Sequence, residues 1–178
     1  MIRPMRQTTI VLVTLLILLA LAACSKPPAG ESNKFATPAA QRILSESLVK
    51  AEAQPVELPA DGSADAIVKV TVQNGYHINA NPASFPYLIA TEIDIPDTED
   101  ISLNYIYYPN PLVKKFSFAD QPLRVYEGEI PIRVAFLATK TAAKGQRSIA
   151  GTLRIQACDD QVCYPPGSIA IAIPVLVK

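Results

Sequence analysis

Two hydrophobic patterns divide the chain. From Thr8 to Ala20 the residues are almost wholly apolar, whereas from about Ser47 apolar and polar positions alternate in short stretches separated by turn residues. A period of two is the pattern of a strand with one face buried. Ala64 to Gln73 sets Ile67 opposite Val68 and repeats β-branched residues. It follows a turn, Pro59-Ala60-Asp61-Gly62-Ser63, in which Asp-Gly tolerates positive φ. Further strands are expected over Tyr87–Ile95, Ile101–Tyr108, Ile130–Ala138, Ser148–Ala157 and Ser168–Val177, each bounded by Gly, Pro, Asn or Asp. Ala39 to Ala53 fits either an amphipathic helix or a loop followed by an edge strand, and the strand from Leu48 to Ala53 is preferred. Sixteen prolines leave little room for long helices. About seven short strands over about 130 residues predict an all-β domain, an antiparallel β-sandwich.

The first pattern has a different meaning. Arg3 and Arg6 precede the apolar run, and no acidic residue appears before Glu31. The run suits the core of a signal peptide and is short for a membrane span, which wants ~20 apolar residues. Leu21-Ala22-Ala23-Cys24 then resembles the bacterial lipobox, in which the cysteine after small residues is acylated before cleavage. The expectation is a lipoprotein signal peptide over residues 1–23 and a tether over residues 24–46, with lipid on Cys24 and the domain proper at residues 47–178. Ser25 to Asn33, rich in Ser, Pro, Ala, Lys and Glu, reads as flexible. Serine rather than aspartate after Cys24 favours the outer membrane over the inner. An ordinary signal peptide or anchor helix with an incidental cysteine is the plainer alternative.

Removing 23 of 178 residues leaves 155, enough for a core that needs no disulfide merely to hold together. The remainder carries 14 basic against 16 acidic residues, a balance of −2. Without a clustered basic face nothing points to nucleic acid. Two cysteines remain, Cys158 and Cys163, separated by Asp159-Asp160-Gln161-Val162. Fully extended, they would lie ~17 Å apart. A disulfide needs Cα atoms ~4.4–6.8 Å apart, so a bridge requires the chain to reverse between them, as a four-residue hairpin loop does. A metal reading fares worse, because two thiolates are half of a tetrahedral site and the single histidine, His77, is distant in sequence. Closing so short a loop stabilises by only ~2 kcal/mol, so a bridge here can open without unfolding a domain of this size. Asp159 and Asp160 disfavour thiolate, and no cation lies in the loop, which suits a dithiol attacked by a partner's activated thiolate better than an attacking one. Pro165 and Pro166 remove backbone donors after Tyr164, which fits either an edge kept from pairing with another strand or a plain turn before the last strand.

The segment Gln156-Ala157-Cys158-Asp159-Asp160-Gln161-Val162-Cys163-Tyr164-Pro165-Pro166 resembles the active-site segment of the N-terminal periplasmic domain of the thiol:disulfide interchange protein DsbD. The resemblance extends to Asn74-Gly75-Tyr76-His77-Ile78-Asn79, Tyr108-Pro109-Asn110-Pro111 and Val125-Tyr126-Glu127-Gly128-Glu129-Ile130-Pro131-Ile132, and covers roughly residues 47–178. It implies an immunoglobulin-like sandwich in which Cys158 and Cys163 pass electrons from a thioredoxin-like domain to oxidised periplasmic proteins, cytochrome c biogenesis included, with no cofactor and no metal. It implies a capping loop near Tyr108 to Phe118, with Tyr107, Tyr108 and Phe116 as candidates for shielding the sulfurs. Tyr76 and His77, and with them Tyr126, Asp159, Asp160 and Tyr164, are expected to line the site. His77 has two readings, proton acceptor for an adjacent thiol or a packed, hydrogen-bonded side chain. Two departures stand out. The best-known member of the family has one more residue between its cysteines, and the full-length protein continues into a membrane-spanning carrier and a thioredoxin-like domain, whereas this sequence stops at Lys178. A thioredoxin-like or DsbD/CcdA-type membrane donor acting in trans is therefore expected, with the lipid anchor holding the module near it. The rival is a non-catalytic envelope lipoprotein that binds a partner and keeps the cysteines as a structural bridge.

Overall fold

A computed structural model describes residues 43–178. The expected signal peptide, the expected lipid-bearing Cys24 and the expected tether up to residue 42 lie outside the described residues. A single 3₁₀ turn (Ser45–Ser47) leads into twelve strands: β1 (Val49–Ala53), β2 (Val56–Leu58), β3 (Ser63–Val72), β4 (His77–Asn79), β5 (Glu92–Asp94), β6 (Ile101–Tyr107), β7 (Leu112–Lys114), β8 (Leu123–Tyr126), β9 (Glu129–Ala138), β10 (Gly145–Ile155), β11 (Ala157–Cys158) and β12 (Gly167–Val177). They form three four-stranded sheets in the orders β1-β3-β9-β6, β2-β12-β10-β5 and β11-β4-β8-β7.

The first two sheets make the sandwich, and alternation explains their long strands. Ala66, Val68, Val70 and Val72 of β3 and Ile130, Ile132, Val134 and Phe136 of β9 are buried. They share one apolar cluster with Leu153 and Ile155 of β10 and Ile171, Ile173 and Val175 of β12. Two prolines inside these strands fall where a neighbour is missing. Pro131 of β9 lies past Arg133, the last residue paired with β6. Pro174 of β12 comes just before Val175, where pairing with β2 begins. A missing N–H is tolerated at such positions.

The all-β, immunoglobulin-like class expected from the sequence is the one observed, with three differences. Of Tyr87–Ile95 only Glu92–Asp94 is strand. Five short strands, β2, β4, β7, β8 and β11, go unannounced by periodicity. The pairing of β12 with β2 is parallel, so the second sheet is mixed. The ambiguous segment before Ala53 resolves as the edge strand β1, paired to β3 from Val49↔Val72 to Ala53↔Val68.

Candidate functional site

The third sheet carries the cysteines. Asn74 and Gly75, the latter with φ +86, turn the chain into β4, whose three residues are all buried. β11 lies antiparallel to β4 in the register Ala157↔Ile78 and Cys158↔His77. After Cys158 the chain reverses, and Cys163 returns opposite it as an antiparallel bridge with 3.9 Å between Cα atoms and the two sulfurs joined.

Asp159 builds this reversal. Its Oδ1 accepts hydrogen bonds from the backbone N–H of Gln161 and Val162, both at 2.8 Å, and its Oδ2 accepts one from the Tyr164 hydroxyl at 2.6 Å. This Asx turn adds to the backbone hydrogen bonds across the loop, from the Asp159 N–H to the Val162 carbonyl at 3.0 Å and from the Tyr164 N–H to the Ala157 carbonyl at 2.8 Å. The Tyr164 hydroxyl, followed by the two amides, holds the Asp159 carboxyl below its ordinary pKa, and the same carboxylate pushes Tyr164 up to about 12. Asp159 therefore keeps a fixed negative charge beside the sulfurs. Tyr76 packs against Tyr164, ring centroids 6.0 Å apart.

The hairpin is also held from behind. The buried hydroxyl of Ser45 donates to the Pro165 carbonyl at 2.6 Å and accepts from the Ala157 N–H at 3.0 Å, gripping both legs of the loop. Gln156 Oε1 accepts from Asn79 Nδ2 and from the Ile89 N–H, each at 3.2 Å, and its Nε2 donates to the Tyr164 carbonyl at 3.3 Å.

A cap arches over the front, made by residues 115–122 between β7 and β8. Phe116 is buried and stacks on His77 with centroids 4.1 Å apart and planes 20° from parallel. Phe118 lies 5.5 Å from Phe116. Ser117 Oγ donates to the Asp160 carbonyl at 2.7 Å, pinning the cap to the cysteine loop. Beneath it the sulfur-bearing residues differ: Cys158 is 0% exposed, whereas Cys163 is partly exposed and lines a groove of about 350 Å³ with Tyr87, Leu88, Phe118 and Val162. On the other side a more polar cleft is lined by Tyr76, His77, Lys114, Glu127 and Asp160. There Lys114 Nζ donates to both carboxylate oxygens of Glu127.

His77 is 2% exposed, and its Nε2 has no hydrogen-bond partner. Burial lowers its pKa below 6.5; the carboxylates of Glu127, Asp160 and Asp159 pull it up, and Lys114 pushes it down. Among the described residues no three His, Cys, Asp or Glu side chains gather as ligands for a metal ion.

The structure thus brings Cys158, Cys163, Tyr76, His77, Phe116, Asp159, Asp160 and Tyr164 into one place. It does not bring Tyr107 and Tyr108 there. Tyr107 lies on the outer face of β6 beneath the Arg133 guanidinium, 4.1 Å from its ring centre, and the Tyr108 hydroxyl accepts from the Ile93 N–H at 2.9 Å. Tyr126, on β8 beside β4, accepts from the Asn81 N–H and donates to the Pro109 carbonyl, so it ties loops behind the site. Phe118 is foreseen only as the end of the expected capping loop, and Gln156 only as the first residue of the family-like segment. Ser45 had no signal, because its role depends on long-range contacts.

Residues 45–173 match the family described as thiol:disulfide interchange protein DsbD, N-terminal. No curated protein matches the chain. Among solved structures, the DsbD N-terminal domain of Neisseria meningitidis in its reduced form is 17% identical, with a TM-score of 0.46 over 74% of this chain and 88% of that one. The N-terminal periplasmic domain of ScsB from Proteus mirabilis is 17% identical, with a TM-score of 0.48 over 70% of this chain and 44% of that one. A type I cohesin of Pseudobacteroides cellulosolvens is 10% identical, with a TM-score of 0.43 over 73% and 92%.

Proposed function

The chain belongs to the family of the N-terminal domain of the thiol:disulfide interchange protein DsbD, and from that membership we propose that it is a periplasmic thiol–disulfide relay with Cys158 and Cys163 as its redox pair. A thioredoxin-like protein or a DsbD/CcdA-type membrane carrier supplies electrons in trans, and oxidised envelope proteins receive them.

The unequal exposure of the two cysteines carries this reading. A partner thiolate approaching along the groove meets the Cys163 sulfur, while Cys158 is enclosed. Attack forms a bond between the partner sulfur and Cys163 and breaks the Cys158–Cys163 bond, and Cys158 leaves with the electron pair and takes a proton. The partner's second thiolate then displaces Cys163, which is protonated in turn. Two electrons and two protons have moved, the partner dithiol has become a disulfide, and the relay is loaded. Delivery to an oxidised protein runs the same steps backwards. The cap limits this exchange to partners able to displace Phe118, and the carboxylates around the loop keep the resting thiols protonated.

Lipid on Cys24 anchors the domain, and Ser25 after it favours the outer membrane over the inner. The 21 peptide steps from Cys24 to Ser45 reach at most about 75 Å. Ser45 is bonded to both legs of the cysteine hairpin, so the tether would enter at the redox end of the domain.

Trapping tests the reading. A full-length Cys158→Ala variant should accumulate a mixed disulfide through Cys163 in envelope membranes, and Cys163→Ala should not. If neither variant traps a partner and the wild-type bridge resists reduction below about −300 mV, it is a structural staple in a binding module instead.

A further inference from the structure

We propose that the imidazole of His77 accepts a hydrogen bond from the Cys158 thiol in the reduced protein and thereby favours reduction of the bridge, an inference that rests on the relay reading. Cys158 and His77 are direct partners across β11 and β4, and side chains so paired stand next to each other on one face of a sheet. Both are nearly enclosed, with exposures of 0% and 2%, and Phe116 closes the imidazole from above.

In the bridged state this arrangement contains a defect. His77 Nε2 is buried without a partner, which costs the desolvation of a polar atom with nothing in return. The neighbouring sulfur has no hydrogen to offer while it is bonded to Cys163. Reduction changes that: the S–S bond accepts two electrons, each sulfur gains a proton, and both electrons and protons come from the partner dithiol with solvent balancing the thiolates. The Cys158 side chain is then free to turn about χ1, and its S–H is a buried donor in need of an acceptor.

The other acceptors nearby are committed or charged. Asp159 already takes three hydrogen bonds within its loop. Glu127 is paired with Lys114, and Asp160 lines the solvent-open cleft. Burial outweighs the pull of these carboxylates on His77 and keeps its pKa low, so the ring is neutral and has a lone pair to give. The orphaned nitrogen of the oxidised form becomes the satisfied acceptor of the reduced form.

The test uses the equilibrium of the full chain with glutathione. His77→Phe keeps a ring for Phe116 to stack on but removes the acceptor, and should lower the equilibrium constant for reduction about tenfold, roughly 30 mV. His77→Gln restores an acceptor and should recover part of the loss. A change under twofold in His77→Phe, or no recovery in His77→Gln, overturns the proposal. A second readout needs no substitution of His77. The chain has one histidine, so its ring-nitrogen resonances stand alone in a ¹⁵N spectrum. Nε2 should shift on reduction of the wild type and show the same shift in Cys163→Ala, and it should lack that shift in Cys158→Ala. The shift persisting in Cys158→Ala overturns the proposal. A wild-type bridge that never equilibrates with glutathione would sink the relay reading itself, an outcome distinct from both.

Discussion

The sandwich and the redox pole use different means to hold their shape. In the sandwich, β3, β9, β10 and β12 run for ten or eleven residues each, and alternate side chains meet in one aliphatic cluster. At the pole, β4, β7, β8 and β11 have two to four residues. Their positions depend on side chains that bond to backbone: Ser45, Gln156, Asp159, Ser117 and Asn79. Apolar burial is strong and indifferent to detail, so it suits a scaffold. Hydrogen bonds of this kind contribute little net stability but fix geometry, which suits a place where one bond must open and close repeatedly.

The largest effect that this contrast predicts lies in the scaffold. Phe136, toward the C-terminal end of β9, is 1% exposed, and Phe136→Ala should cost ~3–5 kcal/mol in chemical denaturation. The glutathione equilibrium of the molecules still folded should be unchanged. A redox shift as large as the stability loss would show that the two regions are not separable.

Next in size is reduction. Opening the six-residue loop removes ~2 kcal/mol of entropic constraint. With ~1 kcal/mol worth ~2–4 °C in a domain of this size, melts with and without reductant should differ by only several degrees. Unfolding on reduction would mean that the bridge staples the sandwich, and the rival reading would gain.

The same contrast explains what was legible in the sequence. The long strands announce themselves because one buried face imposes a period of two over many residues, as in Ala66-Val68-Val70-Val72. Strands of two or three residues have no room for a period, so β2, β4, β7 and β11 are silent, and β4 is doubly so because His77, Ile78 and Asn79 are all buried. The spacing of Cys158 and Cys163 announced a possible bridge, which the structure contains, whereas their role and that of Phe116 came from the family resemblance. Tyr107 and Tyr108 were misplaced because residue type marks an aromatic as available for burial without saying against what. A bulge between Leu103 and Tyr105 in β6 resets the facing of the tyrosines that follow, which no alternation rule anticipates.

A smaller effect should appear in acid. Among the described residues His77 is the only buried side chain that titrates near neutrality. Its folded pKa is depressed by burial, so the folded state binds fewer protons than the unfolded one. The stability involved is complete above pH 6.5 and is lost as pH falls toward the lower folded value. Asp159 and Asp100 are also depressed, but from 3.8, and act at lower pH. Stability between pH 7 and about 5 should therefore fall in the wild type and stay flat in His77→Phe. An equal slope in both would place the acid sensitivity elsewhere.

The smallest stability effect should accompany the clearest kinetic one. Phe118 is 38% exposed and belongs to the cap rather than the aliphatic cluster, so Phe118→Ala should move the denaturation midpoint by no more than about 1 kcal/mol. It lines the groove beside Cys163, and its loss should let a small thiol such as dithiothreitol reach the bridge several-fold faster. Access and activation are separate quantities, and the pH dependence of alkylating reduced Cys163 divides them. The fixed charge of Asp159 and the nearby Asp160 oppose thiolate, and the one cation in the adjoining cleft, Lys114, is held by Glu127. The alkylation midpoint should then lie at or above the ordinary ~8.5 in both wild type and Phe118→Ala, with only the plateau rate raised in the variant. A midpoint well below 8 would reveal an activated cysteine, and the direction of attack would reverse: this chain's thiolate would strike the partner's disulfide, and the cap would be guarding a nucleophile rather than a target.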